Sequence, residues 1–155
     1  MRLDNCHNFR DFRALARRKL PAPIFNYIDG AADDEATLRQ NTASFERCDL
    51  VPNVLRGVGT IDMSVTVMGQ KLAMPVYCSP TALLRLFHHQ GERAVAGAAA
   101  KFGTMFGVSS LGTVRLEELR KAYDTPQVYQ FYFHKDRALK PRHDANGQKM
   151  RASIS

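Results

Sequence analysis

From Asn8 the apolar positions Phe9, Phe12, Leu15 and Ala16 fall three and four residues apart, with Arg and Lys between them. That spacing predicts a surface helix with one apolar face. Pro21 and Pro23 end it, and Pro23 suits the first turn of a second short helix carrying Ile24, Phe25, Tyr27 and Ile28, which Gly30 stops. Asp33 is the expected cap of a third helix through Ala36, Leu38 and Phe45, with Asp34 and Glu35 near its positive end. Residues 1–48 thus form a helical segment.

The period then changes. Val65 to Val67 and Leu72 to Val76 flank Gly69 in the manner of a hairpin. Alternating units follow: a strand over Pro75 to Cys78, an Ala-rich helix from about Glu92 to Phe102, a strand over Met105 to Val108, a helix over Leu116 to Ala122 and a strand over Val128 to Phe133. Gly103 ends the Ala-rich helix, whose Ala94, Ala96, Ala98, Ala99 and Ala100 allow close approach to a sheet. Strand, helix, strand, helix, strand implies an α/β fold with a parallel sheet. Both the open doubly wound sheet and the eight-stranded βα barrel are built this way, and both carry their sites at the carboxyl ends of the strands. The segments of interest are therefore Ser79 to Leu84, Ser109 to Thr113 and Gln130 to Lys135.

Composition narrows the picture. The chain has 155 residues, 45% hydrophobic and 24% charged, which is the ordinary globular range for one core. The net charge is +7, of which +3 lies in residues 140–155, and the remaining cations are spread over helices without interleaved aromatics. Nucleic-acid binding is not expected from such a footprint. The charged start MRLDNCHNFRDF has no apolar stretch and reads as neither signal nor membrane span. Cys6, Cys48 and Cys78 fit no metal or disulfide pattern. Cytoplasmic residence is the expectation, with Cys78 buried in its strand. No metal site is expected.

Candidate chemistry sits at the strand ends. Ser79-Pro80-Thr81-Ala82 is a turn whose small residues admit a flat ligand or simply form a loop. Ser109 and Ser110 offer hydroxyls, and Gln130 and Tyr132, two apart in a strand, point to one side. A ligand role and a structural hydrogen bond are equally good readings of these polar groups. No GxGxxG or phosphate-binding loop follows any strand, which disfavours an open-sheet nucleotide binder. His7, His88, His89 and His143 read as solvated or structural; His134, beside Lys135, lies where a barrel site could use it.

Phe25-Asn26-Tyr27-Ile28-Asp29-Gly30-Ala31-Ala32-Asp33-Asp34-Glu35, then Met74-Pro75 leading into Ser79-Pro80-Thr81-Ala82, then Gln90-Gly91-Glu92, then Gln130-Phe131-Tyr132 with Lys135-Asp136-Arg137, stand in a specific order. In order and spacing the set resembles the FMN-dependent 2-hydroxy-acid dehydrogenases and oxidases, over residues 8 to about 139. The resemblance implies a helical cap (1–48) and the first three βα units (49–139) of a TIM-type (β/α)8 barrel, with FMN at the carboxyl ends of the strands. It implies that Pro80, Thr81 and Ala82 approach the flavin ring, that Ser109 and Gln130 hydrogen-bond it, and that Tyr27 and Tyr132 bind or orient a small 2-hydroxy acid. The implied reaction takes a lactate-like L-2-hydroxy acid to the 2-oxo acid, and Ala82 is compatible with oxygen, quinone or cytochrome as oxidant. Leu83 and Leu84 are expected in an apolar pocket wall. Family members are often homo-oligomers, some peripheral to a membrane face.

Two parts of the family pattern have no counterpart. No His-Gly-Gly-Arg segment or later glycine-rich phosphate loop occurs, so the matching base, carboxylate clamp and flavin-stabilising lysine are missing. Residues 140–155 lose all apolar period, which reads as a basic, disordered tail left by a frameshift or premature stop. Three strands cannot close a barrel and leave an exposed edge. The expectation is an amino-terminal enzyme fragment inactive by itself, and the alternative is a non-enzymatic interaction module or a non-functional truncated product.

Overall fold

The computed structural model describes residues 2–132 and Lys135. His134, His143, the end of the third expected strand at Phe133 and the tail 140–155 lie outside the described residues. The chain divides into two compact units, residues 1–59 and 60–155.

Unit 1 is helical. A 3-10 turn over Leu3–Asn5 precedes α1 (Phe9–Lys19), α2 (Ala22–Asp29) and α3 (Ala36–Glu46). Asn8 caps α1 by accepting from the Asp11 amide, and Arg17, Arg18 and Lys19 occupy the last turn, where cations meet the negative end of the helix. Pro23 stands in the first turn of α2 and Gly30 at its end, as the sequence predicts. Leu15 of α1 and Phe25 of α2 are the buried apolar side chains of this unit among the described residues. Arg13 of α1 and Asp29 of α2 form a two-pronged pair, with Nε to Oδ1 at 2.5 Å and Nη2 to Oδ2 at 2.9 Å. The hydrogen bond from Arg13 holds the Asp29 carboxyl below its ordinary range, and Asp29 raises the guanidinium in turn.

The third helix starts later than Asp33 predicts. Asp33 and Glu35 both adopt left-handed backbone, at φ 48° and 55°, and Glu35 is the residue flanking the helix, without a side-chain cap. Its carboxylate is used elsewhere, accepting from the Ala31 amide at 3.1 Å. The turn is closed by the Glu35 amide on the Ala32 carbonyl at 2.9 Å. A carboxylate committed to the preceding turn is not available to the helix's own amides. Residues 47–63 carry no regular structure and are exposed throughout.

Unit 2 begins with a hairpin, β1 (Val65–Val67) antiparallel to β2 (Gln70–Leu72), with Val65 opposite Leu72. Met68 and Gly69 both have positive φ, 51° and 75°, the two-residue turn that matches the twist of paired strands. Such a turn pairs residue 67 with 70, so the second strand runs over 70–72 rather than 72–76.

Next come α4 (Glu92–Lys101), β3 (Phe106–Ser109), α5 (Leu116–Ala122) and β4 (Gln127–Gln130). β3 and β4 are parallel, Phe106 opposite Gln127 and Ser109 opposite Gln130. The expected strand over Pro75 to Cys78 is reduced to one parallel bridge, Cys78 with Phe106. Pro75 has no amide hydrogen, and among the described residues 75–78 Cys78 is the one that joins the ladder. Cys78 supplies what there is, donating to Met105 at 3.0 Å and accepting from Gly107 at 2.7 Å, and it is half-buried rather than buried.

Phe106 and Val108 of β3 pack with Ala96 and Ala99 of α4, Val114 and Leu119, all buried. Ala96 and Ala99, three apart, form the helix face that meets the sheet, whereas Ala94 and Ala98 are exposed. Gly97 lets α4 approach Tyr123, since a Cβ there would stand 3.2 Å from its ring. Gly103, at φ 62°, ends α4. Tyr129 of β4 packs on this core, where burial, and secondarily Glu117, raises its phenol above the usual range.

The amino ends of the strands are tied by threonines. Thr104 Oγ1 donates to the Val76 carbonyl, and Thr125 Oγ1 donates to the Thr104 carbonyl at 2.5 Å. Both are buried polar residues whose hydroxyls are satisfied, as burial demands. No helix among the described residues is long and apolar enough to cross a membrane.

Candidate functional site

Side chains alternate along a strand, so the residues that flank the core positions of β3 face away from the helices. Phe106 and Val108 enter the core; Gly107 and Ser109 occupy the other face. In the parallel register Gln130 stands opposite Ser109, and the two side chains meet, Ser109 Oγ donating to Gln130 Oε1 at 3.2 Å. The ladder continues one step further, with the Ser110 amide on the Gln130 carbonyl at 2.9 Å.

Gly107 explains how the first strand's turn reaches this face. A Cβ at Gly107 would stand 2.7 Å from both Cδ and N of Pro80, a separation that side-chain carbons do not adopt. Glycine in the strand therefore seats Pro80 directly on β3. Leu83 then donates from its amide to the Leu111 carbonyl at 3.1 Å, tying the 79–84 segment to the loop after β3. Leu83 has left-handed backbone at φ 55°, a conformation that costs a non-glycine residue about 1 kcal/mol or more. Thr81 is exposed and Ala82 half-buried in this turn.

The structure thus brings Pro80, Thr81, Ala82, Ser109 and Gln130 to one end of the sheet. Gln130 makes no further side-chain hydrogen bond among the described residues, which leaves its amide hydrogens available. Ser109 Oγ also accepts from the Leu111 amide at 3.2 Å, and the buried Ser110 hydroxyl has no partner among the described residues. Tyr132 departs from the sequence expectation. β4 ends at Gln130, so the strand alternation that would align Gln130 with Tyr132 stops before it, and Tyr132 is 58% exposed. Tyr27 lies on α2 in unit 1 and is 64% exposed. Leu84 is half-buried and packs against the core cluster.

The described histidines, His7, His88 and His89, are exposed. The rings of His88 and His89 lie 4.3 Å apart and tilted, both exposed, and His88 Nδ1 accepts from the Gln90 amide at 3.3 Å. His7 uses only its backbone amide, on Asp11 Oδ2 at 3.0 Å. Among the described residues no group of three His, Cys, Asp or Glu side chains could hold a metal.

The contributions of Gly107 and of the Glu92–Thr113 contact are not legible in the sequence. Gly107 announces itself only as a glycine within a strand. Glu92, at the start of α4 and 1% exposed, accepts from both the amide and the hydroxyl of Thr113, a contact across 21 residues that no local pattern signals.

The profile of the family described as FMN-dependent dehydrogenase matches residues 16–144, running past Leu139. Glycolate oxidase 1 of Oryza sativa subsp. indica is 38% identical over 130 residues, which is 84% of this chain and 35% of that protein. The L-lactate dehydrogenase of Ectopseudomonas mendocina is 39% identical over 129 residues, 83% of this chain and 34% of its own. The crystal structure of a soluble mutant of the membrane-associated (S)-mandelate dehydrogenase from Pseudomonas putida superposes with a TM-score of 0.77 at 30% identity, over 83% of this chain and 37% of that one. The chain therefore spans about a third of the length of the relatives it matches.

Proposed function

We propose a function from the premise that this chain belongs to the FMN-dependent dehydrogenase family: its residues form the ring-binding side of a flavin site that serves oxidation of a small 2-hydroxy acid. The fold is correspondingly the opening part of a TIM-type βα barrel behind a helical segment, and its described strands do not close. The observation that carries the reading is the Ser109–Gln130 hydrogen bond beside a proline seated on Gly107. A flat, partly polar ring needs a surface free of bulky side chains and a few fixed donors and acceptors along one edge. Pro80, Thr81 and Ala82 offer the first, and the Gln130 amide with the Ser109 hydroxyl offers the second.

FMN, when bound, supplies the two-electron acceptor. The chain's own residues orient and hold. Ser109 fixes the rotamer of Gln130 by donating to its carbonyl oxygen, which directs the amide hydrogens away from the ladder. Tyr27 and Tyr132 are proposed to steady the carboxylate of a lactate-like L-2-hydroxy acid through their phenol hydroxyls. No residue of this chain matches the family's proton acceptor or its phosphate-binding loops, so ring binding is the function assigned to these residues. Three free cysteines support a reducing, cytoplasmic compartment for it.

Fluorescence titration of the purified chain tests this reading. The free-flavin emission is expected to be quenched by the chain with FMN and with riboflavin to similar extents, because the proposed contacts reach the ring and not the phosphate. Unquenched emission with both would overturn the proposal, and quenching by FMN alone would move the contact to the phosphate.

A further inference from the structure

Glu92 is a buried carboxylate for which the ring-binding reading has no use. It opens α4, is 1% exposed, and accepts at both oxygens from one residue, with the Thr113 amide to Oε1 at 2.7 Å and the Thr113 hydroxyl to Oε2 at 2.6 Å. No cation pairs with it among the described residues; the neighbouring Arg93 turns instead to Glu118, at 2.7 Å from Nε. A carboxylate taken out of water is tolerated only when its hydrogen bonds are good, and two short donors from one residue are a geometric clamp.

The clamp acts on the loop after β3. Thr113 is two residues beyond Leu111, whose carbonyl accepts from Leu83 and whose amide donates to Ser109 Oγ. Gly112 donates to the Ser109 carbonyl at 2.9 Å, and a Cβ at Gly112 would meet that oxygen at 3.0 Å and Glu92 Oε1 at 3.5 Å. The loop is thus closed tightly on Ser109 at one end and held by Glu92 at the other. On the α4 side, Gly91 at φ 50° leaves no room for a Cβ beside Arg85 Cγ, at 2.5 Å, which fixes the start of α4 against the 84–86 turn.

We infer that Glu92 is a positioning residue for the flavin site: through Thr113 it sets the loop that holds Ser109, Gln130 and Leu83 in register. This rests on the ring-binding reading above. Because the clamp works through hydrogen bonds and not through an ion pair, glutamine should preserve it: its Oε1 accepts from the Thr113 amide, and its Nε2 donates to the Thr113 hydroxyl, which rotates to accept.

The experiment compares wild-type chain with Glu92→Ala, Glu92→Gln and Thr113→Val by amide hydrogen exchange and by FMN fluorescence titration. In Glu92→Ala the amides of Leu83, Leu111 and Thr113 are expected to exchange about tenfold faster or more, while those of Gly107 and Tyr123 keep their wild-type rates. FMN affinity falls in parallel, by about tenfold, and Glu92→Gln restores both. Thr113→Val, which removes one of the two hydrogen bonds, gives a smaller change of the same pattern and serves if Glu92→Ala does not fold. Unchanged exchange at Leu83 and Leu111, or an equal rise at Gly107 and Tyr123, would overturn the positioning role, as would FMN binding indifferent to Glu92→Ala. A wild-type chain that binds no FMN overturns the flavin reading itself, whatever the exchange rates.

Discussion

The two units hold their structure by different means. In unit 2 a continuous apolar cluster spans two helices and a strand, and the strand ends are clipped by buried hydroxyl, amide and carboxylate hydrogen bonds. Among the described residues unit 1 buries Leu15 and Phe25, and its helices carry a side-chain cap, proline and glycine punctuation, and the Arg13–Asp29 ion pair between α1 and α2. Most helical stability in proteins comes from packing of an apolar face, and α3 has no buried residue at all. Of the proposed site residues, Ser109 and Gln130 are held by their mutual hydrogen bond and Pro80 by its seat on Gly107, whereas Tyr27 sits on an element specified mainly by local signals.

The comparison breaks most readily at Leu119. It is fully buried in the unit 2 core, and Leu119→Ala is expected to cost about 3 kcal/mol through lost transfer energy and a residual cavity. Urea unfolding followed by circular dichroism reads the loss, and a cost near zero would deny that packing governs unit 2. Gly107→Ala is expected to cost about 2 kcal/mol, because the new methyl must displace Pro80. Its distinguishing sign is loss of FMN quenching in excess of the loss in stability.

In unit 1, Asn8→Ala removes a side-chain cap and is expected to cost α1 about 1 kcal/mol, visible as a fall in helical signal with unit 2 exchange rates unchanged. The smallest effect concerns pH. Asp29 has its folded pKa lowered from 3.8 by Arg13, so the pair contributes fully at neutral pH, and its contribution is lost as pH falls from that value through the lowered one. Arg13 is exposed and Asp29 only half-buried, so the effect is modest and salt-sensitive. A carboxyl titration of Asp29 by NMR should show a midpoint below 3.8 in the intact chain and a return toward 3.8 in Arg13→Leu.

The same contrast decides what is legible in sequence. Asn8 with its three- and four-residue period marks α1, Pro23 and Gly30 bracket α2, and Leu116 to Ala122 gives α5 at its observed bounds. Each of these signals is local. The misplaced features are those where a distant or competing bond wins. Glu35, in left-handed backbone, flanks α3, so the helix starts at Ala36 and not after Asp33. Pro75 lacks an amide hydrogen, and the expected first strand keeps one bridge, Cys78 with Phe106. Ser109 and Gln130 are legible as polar residues at strand ends, but their mutual hydrogen bond follows from a register across 21 residues. The contact of Glu92 with Thr113 is not legible for the same reason, since neither residue has a local pattern that would nominate the other.

Gln130, held by Ser109, is proposed to present its amide to a flavin ring. This is tested most directly by recording the side-chain amide resonances of Gln130 in the 15N-labelled chain as riboflavin is added. The account predicts that the Gln130 amide hydrogens shift progressively and saturably, and that Ser109→Ala weakens the shift. A Gln130 resonance that stays fixed while other residues respond to the flavin would contradict it.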